Sequence, residues 1–169
     1  MGPISLSFAW AVCICLGICM AAGIMRTGAL QLFGAAAFVF VMFWISRAVS
    51  GVTSPPWSLA HYPLQDVTMI GLIWLTWGRR AELWKVATSW LLMLQLVFHA
   101  GYWLAVVTGR ADHGMLWTYI LLNNLGMAGI LLVLTMKGVG HVLVGVADLY
   151  LGAPLPWAGS VDHHSRPAR

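Results

Sequence analysis

Four polar side chains fall at helical spacing inside one long apolar stretch of the sequence, residues 86–107. Thr88, Gln95, His99 and Tyr102 are separated by steps of seven, four and three residues, so all four lie on one face of a helix. An amide, an imidazole and a phenol on one face can bond helices together, carry a proton or bind a cofactor. Because unpaired amide and imidazole groups are costly in hydrocarbon, we expect this face to contact protein.

Candidate partners for this face lie in two neighbouring apolar stretches. Residues 115–136 carry Asn123 and Asn124 near their middle, and residues 64–78 have Asp66 in their first turn, where it could cap a helix. The sequence therefore predicts an intramembrane polar cluster of six residues: Asp66, Gln95, His99, Tyr102, Asn123 and Asn124. Two interpretations stay open, namely hydrogen bonding that holds helices together, or a functional site such as a proton relay or a cofactor ligand.

A b-type haem bound by His99 is a specific form of the second interpretation, since membrane anchor proteins can hold haem between two histidines. The other candidate ligands, His61, His113 and His141, lie in loops or near the ends of apolar stretches. None of them matches the depth of His99, so we expect no cofactor and keep haem b at His99 as the alternative.

Motifs for metal binding and nucleophilic catalysis are not found in the sequence. Asp112 with His113, and Asp162 with His163 and His164, lack a third or fourth ligand at a known spacing. The chain contains no G-x-S-x-G, no H-E-x-x-H and no glycine-rich phosphate loop with its lysine. We therefore predict neither a metal site nor an enzyme.

The composition predicts an integral membrane protein. Of 169 residues, 60% are hydrophobic and 8% are charged, with a mean hydropathy of +0.84, whereas soluble domains carry about 25% charged residues. Nine Lys and Arg are scattered between apolar stretches without the basic stripe that phosphate binding needs, so no nucleic-acid partner is expected. The expected partners are the lipid bilayer and either further copies of the chain or a larger membrane-protein complex.

The elements that must position the polar residues are predicted to be membrane-spanning helices. The fold class is all-α, a polytopic helical bundle over residues 1–152 with about five transmembrane helices: 4–25, 29–46, 64–78, 86–107 and 115–136. The third stretch is short and would need a thinned bilayer or support from neighbours. Residues 138–152 are predicted to form a short interfacial helix, and residues 153–169 a flexible tail.

The distribution of positive residues favours one orientation. With five crossings, one side collects seven of them: Arg26, Arg79, Arg80, Lys85, Lys137, Arg166 and Arg169. The other side has only Arg47 and Arg110. The positive-inside rule then predicts a bacterial inner-membrane protein with its N-terminus outside and its C-terminus in the cytoplasm. This segregation is lost if the third stretch does not cross.

One sequence pattern across residues 64–136 combines an aspartate, a short apolar run, R-R, Q-x-x-x-H-x-x-Y and an acidic turn. Its positions are Asp66, Arg79, Arg80, Gln95, His99, Tyr102 and Asp112. This pattern resembles a loose group of small multi-span membrane proteins of unknown function, encoded in tailed-phage and prophage genomes of proteobacteria. The resemblance implies a phage-encoded assembly component, either holin-like or host-interacting. The alternative is a membrane-anchor subunit of a larger complex, with a cofactor or proton-relay site at His99.

Overall fold

The computed structural model describes residues 3–25, 29–52, 59–76 and 82–151, and these residues are helical apart from short connections such as residues 108–112. The helices follow in the order α1 Pro3–Met25, α2 Leu30–Val52, α3 Tyr62–Gly71, α4 Leu83–Val107 and α5 His113–Leu151. A π-helical segment, Leu72–Thr76, continues α3 without interruption. The described part of the chain contains no strand, which confirms the prediction of an all-α fold.

Four of these helices, α1, α2, α4 and α5, are long and apolar enough to cross a membrane. Each has at least 23 residues, or about 34 Å at 1.5 Å per residue, against a hydrocarbon core of about 30 Å. The third predicted span is shorter, because α3 and its π-helical continuation extend for ten plus five residues, or about 22 Å. The five predicted spans therefore correspond to four long helices and one short helix.

Helix α5 departs most from the prediction. It runs for 39 residues through the stretch where a separate interfacial helix is expected, and residues 152–169 lie outside the described residues. Two glycines in this stretch, Gly138 and Gly145, lie against α1 within the continuous helix. A Cβ on Gly138 would lie 2.9 Å from Cγ2 of Ile18, and one on Gly145 would lie 3.1 Å from Cβ of Met25. Glycine therefore allows the two backbones to approach closely along a continuous helix.

Contacts between α1, α2 and α5 show the relative directions of these helices. The Phe8 and Phe43 rings lie 5.8 Å apart, although one is near the start of α1 and the other late in α2, so these helices are antiparallel. The Cys15 and Cys19 thiols lie 3.8 Å and 3.6 Å from the carbonyl oxygens of Leu131 and Leu134. Helix α1 therefore runs parallel to the later part of α5.

The shorter helix α3 lies antiparallel to α4 and connects the two ends of the bundle. Asp66 contacts His99 near the start of α3, and the Trp74 indole donates to the Ser89 hydroxyl at 2.8 Å further along. We call the end at which α1, α3 and α5 begin the first end of the bundle. The opposite end, at which α2 and α4 begin, is the second end.

Polar side chains are gathered inside the bundle, while many apolar ones face outward. The buried polar residues in the described ranges are Ser46, Asp66, Lys85, Thr88, Ser89, Gln95 and His99. The exposed apolar residues include Trp10, Ile14, Trp44, Trp90, Val97, Leu121 and Leu132. A polar interior with an apolar exterior is the arrangement suited to a surrounding of lipid.

Candidate functional site

The polar face of α4 is turned toward protein along its whole length. Thr88, Gln95, His99 and Tyr102 are all buried, and each is followed or preceded by apolar residues that face outward. The side chains at steps of three and four therefore contact α3 and α5, as their spacing predicts.

His99 lies at the centre of a hydrogen-bonded group that joins three helices. Its Nε2 is 2.9 Å from Oδ2 of Asp66 in α3, and its Nδ1 is 2.6 Å from the hydroxyl oxygen of Tyr119 in α5. With a neutral imidazole, Nε2–H donates to the carboxylate and Nδ1 accepts from the phenol. All three side chains are buried, with exposed fractions of 2% to 4%. We call Asp66, His99 and Tyr119 the ionisable network.

Aromatic rings hold this network in place. The Tyr62 ring is nearly parallel to the His99 imidazole, at an interplanar angle of 4° and a centroid distance of 6.3 Å. Tyr102 stacks on Tyr119 with the ring centroids 4.4 Å apart. The imidazole therefore has protein contacts on its face as well as at both nitrogens, which restricts its rotation.

One helical turn away, a second contact between α4 and α5 uses only neutral groups. The Gln95 Nε2 donates to the main-chain oxygen and to Oδ1 of Asn123, at 3.1 Å and 3.2 Å. Gly126 makes this possible, because a Cβ there would lie 2.8 Å from Cγ and Cδ of Gln95. We call Gln95 and Asn123 the amide layer. The Gln95 Oε1 and the Thr88 hydroxyl, both buried, have no hydrogen-bond partner among the described residues.

Two of the six residues in the predicted cluster are placed differently from the prediction. Asn124 is exposed, so only its neighbour Asn123 faces α4. Asp66 does not cap α3, since the helix begins at Tyr62 with a proline in its first turn and His61 at the N-cap. Proline favours this early start because it needs no hydrogen-bond acceptor there. Asp66 therefore lies inside the helix and not at its N-cap, and its side chain faces His99.

The sequence analysis did not include Tyr119 and Tyr62 among the site residues. Tyr119 precedes Asn123 by four residues and Gly126 follows by three, so all three share one face of α5. The same spacing rule that identifies the α4 face would have identified Tyr119. Tyr62 has no such signal, because its position depends on where α3 begins.

The positive residues used for the orientation are only partly visible, since Arg26, Arg79 and Arg80 lie outside the described residues. The Lys85 ammonium is 3.4 Å from Oε1 of Glu82 at the second end. Burial alone would raise the pKa of Glu82, but a hydrogen bond from Trp84 and the charges of Lys85 and Lys137 lower it below its usual range. Both lysines are therefore close to Glu82 and share this end of the bundle.

A small cavity lies beside the ionisable network. Its volume is about 20 Å³, and its polar walls are Gln65 and Asp66, two consecutive residues of α3. The apolar walls come from α2, α3, α4 and α5: Phe38, Val39, Met42, Met69, Leu92, Met127 and Ile130. Asp66 thus contacts His99 and also lines a small cavity whose walls are mostly apolar.

The network can hold a proton in several positions, but binding a metal or haem iron would disturb it. Both ring nitrogens of His99 already contact protein, so a haem iron could bind only after one of those bonds is broken. No group of three or more His, Cys, Asp or Glu side chains in the described ranges could hold a metal ion.

No model of a known protein family, no curated protein and no solved structure matches this chain.

Proposed function

We propose that this chain is an integral membrane protein whose ionisable network binds and releases a proton inside the bilayer. The observation that carries the proposal is the contact of a buried carboxylate, Asp66, with a buried imidazole, His99, at 2.9 Å. Ionisable side chains within the hydrocarbon layer are expensive, and they mark proton and ion pathways in membrane proteins. Neutral side chains suffice for cohesion, as the amide layer of the same bundle illustrates.

The membrane environment is supported by the outward faces of the helices. The four long helices expose large apolar side chains, such as Trp10, Trp90 and Leu121. Contact of so much apolar surface with water would be unfavourable. We place the second end, with Lys85 and Lys137, in the cytoplasm of a bacterial inner membrane, by the positive-inside rule. A fluorescent protein fused to the C-terminus should then fold and fluoresce. A dark fusion, with a periplasmic enzyme active at the same position, would reverse this orientation.

The network can change its charge by one unit without losing its hydrogen bonds. With Asp66 ionised and His99 neutral, Nε2–H donates to the carboxylate and the Tyr119 hydroxyl donates to Nδ1. An added proton on Asp66 removes the negative charge while the carboxyl group keeps its contact with the imidazole. The imidazole contact offsets part of the cost of the ionised state, and the apolar surroundings favour the neutral one. The titratable groups in contact with His99 are Asp66, Tyr62 and Tyr119, with Tyr102 stacked behind Tyr119.

Infrared difference spectroscopy in lipid nanodiscs tests this proposal. Over a titration from about pH 10 to about pH 4, which spans the ordinary pKa values of Asp and His, acidification should produce a carboxylic-acid carbonyl band. Asp66→Asn should abolish the component from the protein interior, which exchanges slowly with deuterium oxide. The matched control is Asp112→Asn, the same substitution at an exposed position, and it should leave that component intact. A slowly exchanging band that survives Asp66→Asn, or its absence from the unmodified protein, would show that the network carries no exchangeable proton.

A second candidate function is assembly with other copies of the chain, and the length of α5 favours it. Past Lys137, α5 continues for 14 residues and exposes Leu143, Leu149 and Tyr150. Such a role agrees with a phage-encoded assembly component, either holin-like or host-interacting. Native mass spectrometry in mild detergent should then give an oligomer that is weakened by Leu143→Ser with Leu149→Ser. Dye leakage from induced cells would favour a holin-like lesion, and a monomer with no leakage would remove this candidate.

A further inference from the structure

Three methionines from three different helices line the small cavity beside Asp66. Met42 comes from α2, Met69 from α3 and Met127 from α5. Met69 is buried, whereas Met42 and Met127 are half-buried. Neither the ionisable network nor the amide layer includes them. Three thioether side chains therefore share one space with a single buried carboxylate.

The donor atoms around this cavity suit one class of metal ion. A thioether sulfur is a soft and neutral donor, and soft sulfur ligands select Cu(I), whereas carboxylate and carbonyl oxygens suit Mg²⁺ and Ca²⁺. Zn²⁺ is held by thiolate, imidazole or carboxylate groups. The other polar group in the wall, the Gln65 amide, bonds to Ser46 of α2. A set of three thioethers therefore favours a soft cation with a single charge.

Charge and size also fit one such ion. A cation in hydrocarbon is costly, and so is a carboxylate, but each lowers the cost of the other when they lie side by side. Asp66 supplies one negative charge, which matches the single positive charge of Cu(I). The cavity has a volume of about 20 Å³, and about 10–15 Å³ is enough for a sphere the size of a water molecule. The space therefore admits one ion and not a cluster.

We propose that Met42, Met69 and Met127 bind one Cu(I) ion in this cavity, and that Asp66 balances its charge while it keeps its contact with His99. The ion enters and leaves as Cu(I), so no oxidant or reductant takes part. Methionine has three rotatable side-chain bonds, which allow its sulfur to turn toward an ion. The site stands independently of the proposed function, because it needs the charge of Asp66 and not its protonation.

Copper binding by the full-length chain in nanodiscs tests the site. Cu(I) is supplied without oxygen and is buffered by bicinchoninate, a chelator whose copper complex is coloured. Thiols also bind Cu(I), so the reference chain carries Cys13→Ala, Cys15→Ala and Cys19→Ala. We expect this chain to bind one Cu(I), and X-ray absorption of the bound copper should show sulfur neighbours.

Leucine is the matched replacement, because Met→Leu keeps the apolar volume and removes the sulfur. Met69→Leu should raise the Kd for Cu(I) at least about tenfold, since even the loss of a group behind a ligand weakens metal binding by about 10–100-fold. Met42→Leu and Met127→Leu should have effects of the same order. Met93→Leu and Met136→Leu make the same change at exposed positions and should leave the Kd unchanged.

The charge of Asp66 is tested separately. Asp66→Asn keeps the shape of the side chain and removes its charge, so the Kd for Cu(I) should again rise at least about tenfold. Asp112→Asn is the control at an exposed position and should have no effect. An unchanged Kd in Asp66→Asn would overturn the role of this carboxylate in balancing the ion.

The outcomes distinguish a copper site from methionines that only fill space, which is their common role in apolar interiors. No Cu(I) bound by the reference chain, or equal Kd values for Met69→Leu and Met93→Leu, would overturn the site. If the cysteine-free chain does not fold, the unmodified chain takes its place. Met69→Leu should then remove one of its bound ions, and an unchanged copper content would overturn the site. Absence of the Asp66 infrared band, measured without copper, would overturn proton binding and leave this site standing.

Discussion

Two successive helical turns of α4 contact α5 with different chemistry. At one turn Gln95 donates to Asn123, and at the next, four residues later, His99 contacts Tyr119, four residues earlier in α5. Both contacts bridge the same two helices; the His99 contact is buried and the Gln95 contact is partly buried, because Asn123 is half-buried. The difference is that His99 also contacts the Asp66 carboxylate of α3, whereas no charged side chain is bonded to Gln95 among the described residues.

This comparison shows which of the buried polar contacts are needed to hold the helices together. Neutral hydrogen bonds between membrane helices contribute about 0.6 kcal/mol on average, and the amide layer supplies such bonds without a charge. Replacing the amide chemistry by a carboxylate and an imidazole adds the cost of desolvating ionisable groups. Cohesion alone therefore gives no reason for the ionisable network, whereas the proposed proton binding would give one.

The largest expected effect is that of Asp66→Leu on stability. This change leaves the Nε2–H of His99 without an acceptor in a buried position, and the free energy of unfolding should fall by about 3 kcal/mol. Asp66→Asn keeps an acceptor oxygen and should cost about 1 kcal/mol. Unfolding in lipid bicelles by steric trapping measures both. Equal losses for Asp66→Leu and Gln95→Leu would mean that the two contacts do not differ energetically.

The second prediction concerns the close approach of α4 and α5 at the amide layer. In Gly126→Ala the new Cβ meets Cγ and Cδ of Gln95 at 2.8 Å, and these atoms cannot move aside without breaking the bonds to Asn123. The free energy of unfolding should fall by about 2 kcal/mol. Gly101→Ala is the control, because nothing lies within 4 Å of a Cβ there.

At Gly101 the helix propensity of alanine should leave the protein unchanged or stabilise it by up to about 1 kcal/mol. The same steric-trapping measurement applies to both glycine variants. Similar stabilities for Gly126→Ala and Gly101→Ala would show that α4 and α5 can move apart at this level. The amide layer would then not be a fixed contact.

Much of the fold follows from hydropathy, but the course of α5 does not. The apolar stretches at residues 4–25, 29–46 and 86–107 lie within the long helices α1, α2 and α4, apart from residue 29, which precedes α2, because length and composition alone decide whether a segment can span lipid. A separate interfacial helix was expected over residues 138–152, yet α5 continues through them, and Gly138 and Gly145 pack against α1. That distinction depends on which helix is the neighbour, and a single sequence does not contain this information.

The polar face of α4 could be predicted because one helix contains all of it, and spacing alone defines a face. The ionisable network could be predicted only in part, because its members come from three helices. Asp66 was included as a partner of the α4 face, but it was also expected to cap a helix, and the start of α3 at Tyr62 was not anticipated. Tyr119 could have been found from its spacing to Asn123, whereas its contact with His99 requires the register of α4 against α5.

The third prediction tests the other side of the imidazole. Tyr119→Phe removes the hydroxyl that is 2.6 Å from Nδ1 of His99 and leaves that nitrogen without its partner. The free energy of unfolding should fall by about 1 kcal/mol, because the ring and its stacking with Tyr102 are kept. Tyr150→Phe is the matched control at an exposed position and should have no effect. An identical result for the two variants would mean that the phenol contributes nothing to the network.

The smallest expected effect separates the two contacts most directly. In a double-mutant cycle, Gln95→Leu and Asn123→Leu should couple by about 0.6 kcal/mol, as expected for one neutral bond between membrane helices. The corresponding cycle of Asp66→Asn with His99→Gln should show a coupling that varies with pH, because the contact involves groups that can gain and lose a proton. The amide cycle has no titratable member and should give the same value at each pH. If the coupling in both cycles is independent of pH, the ionisable network holds the helices together in the same way as the amide layer, and its proton is fixed.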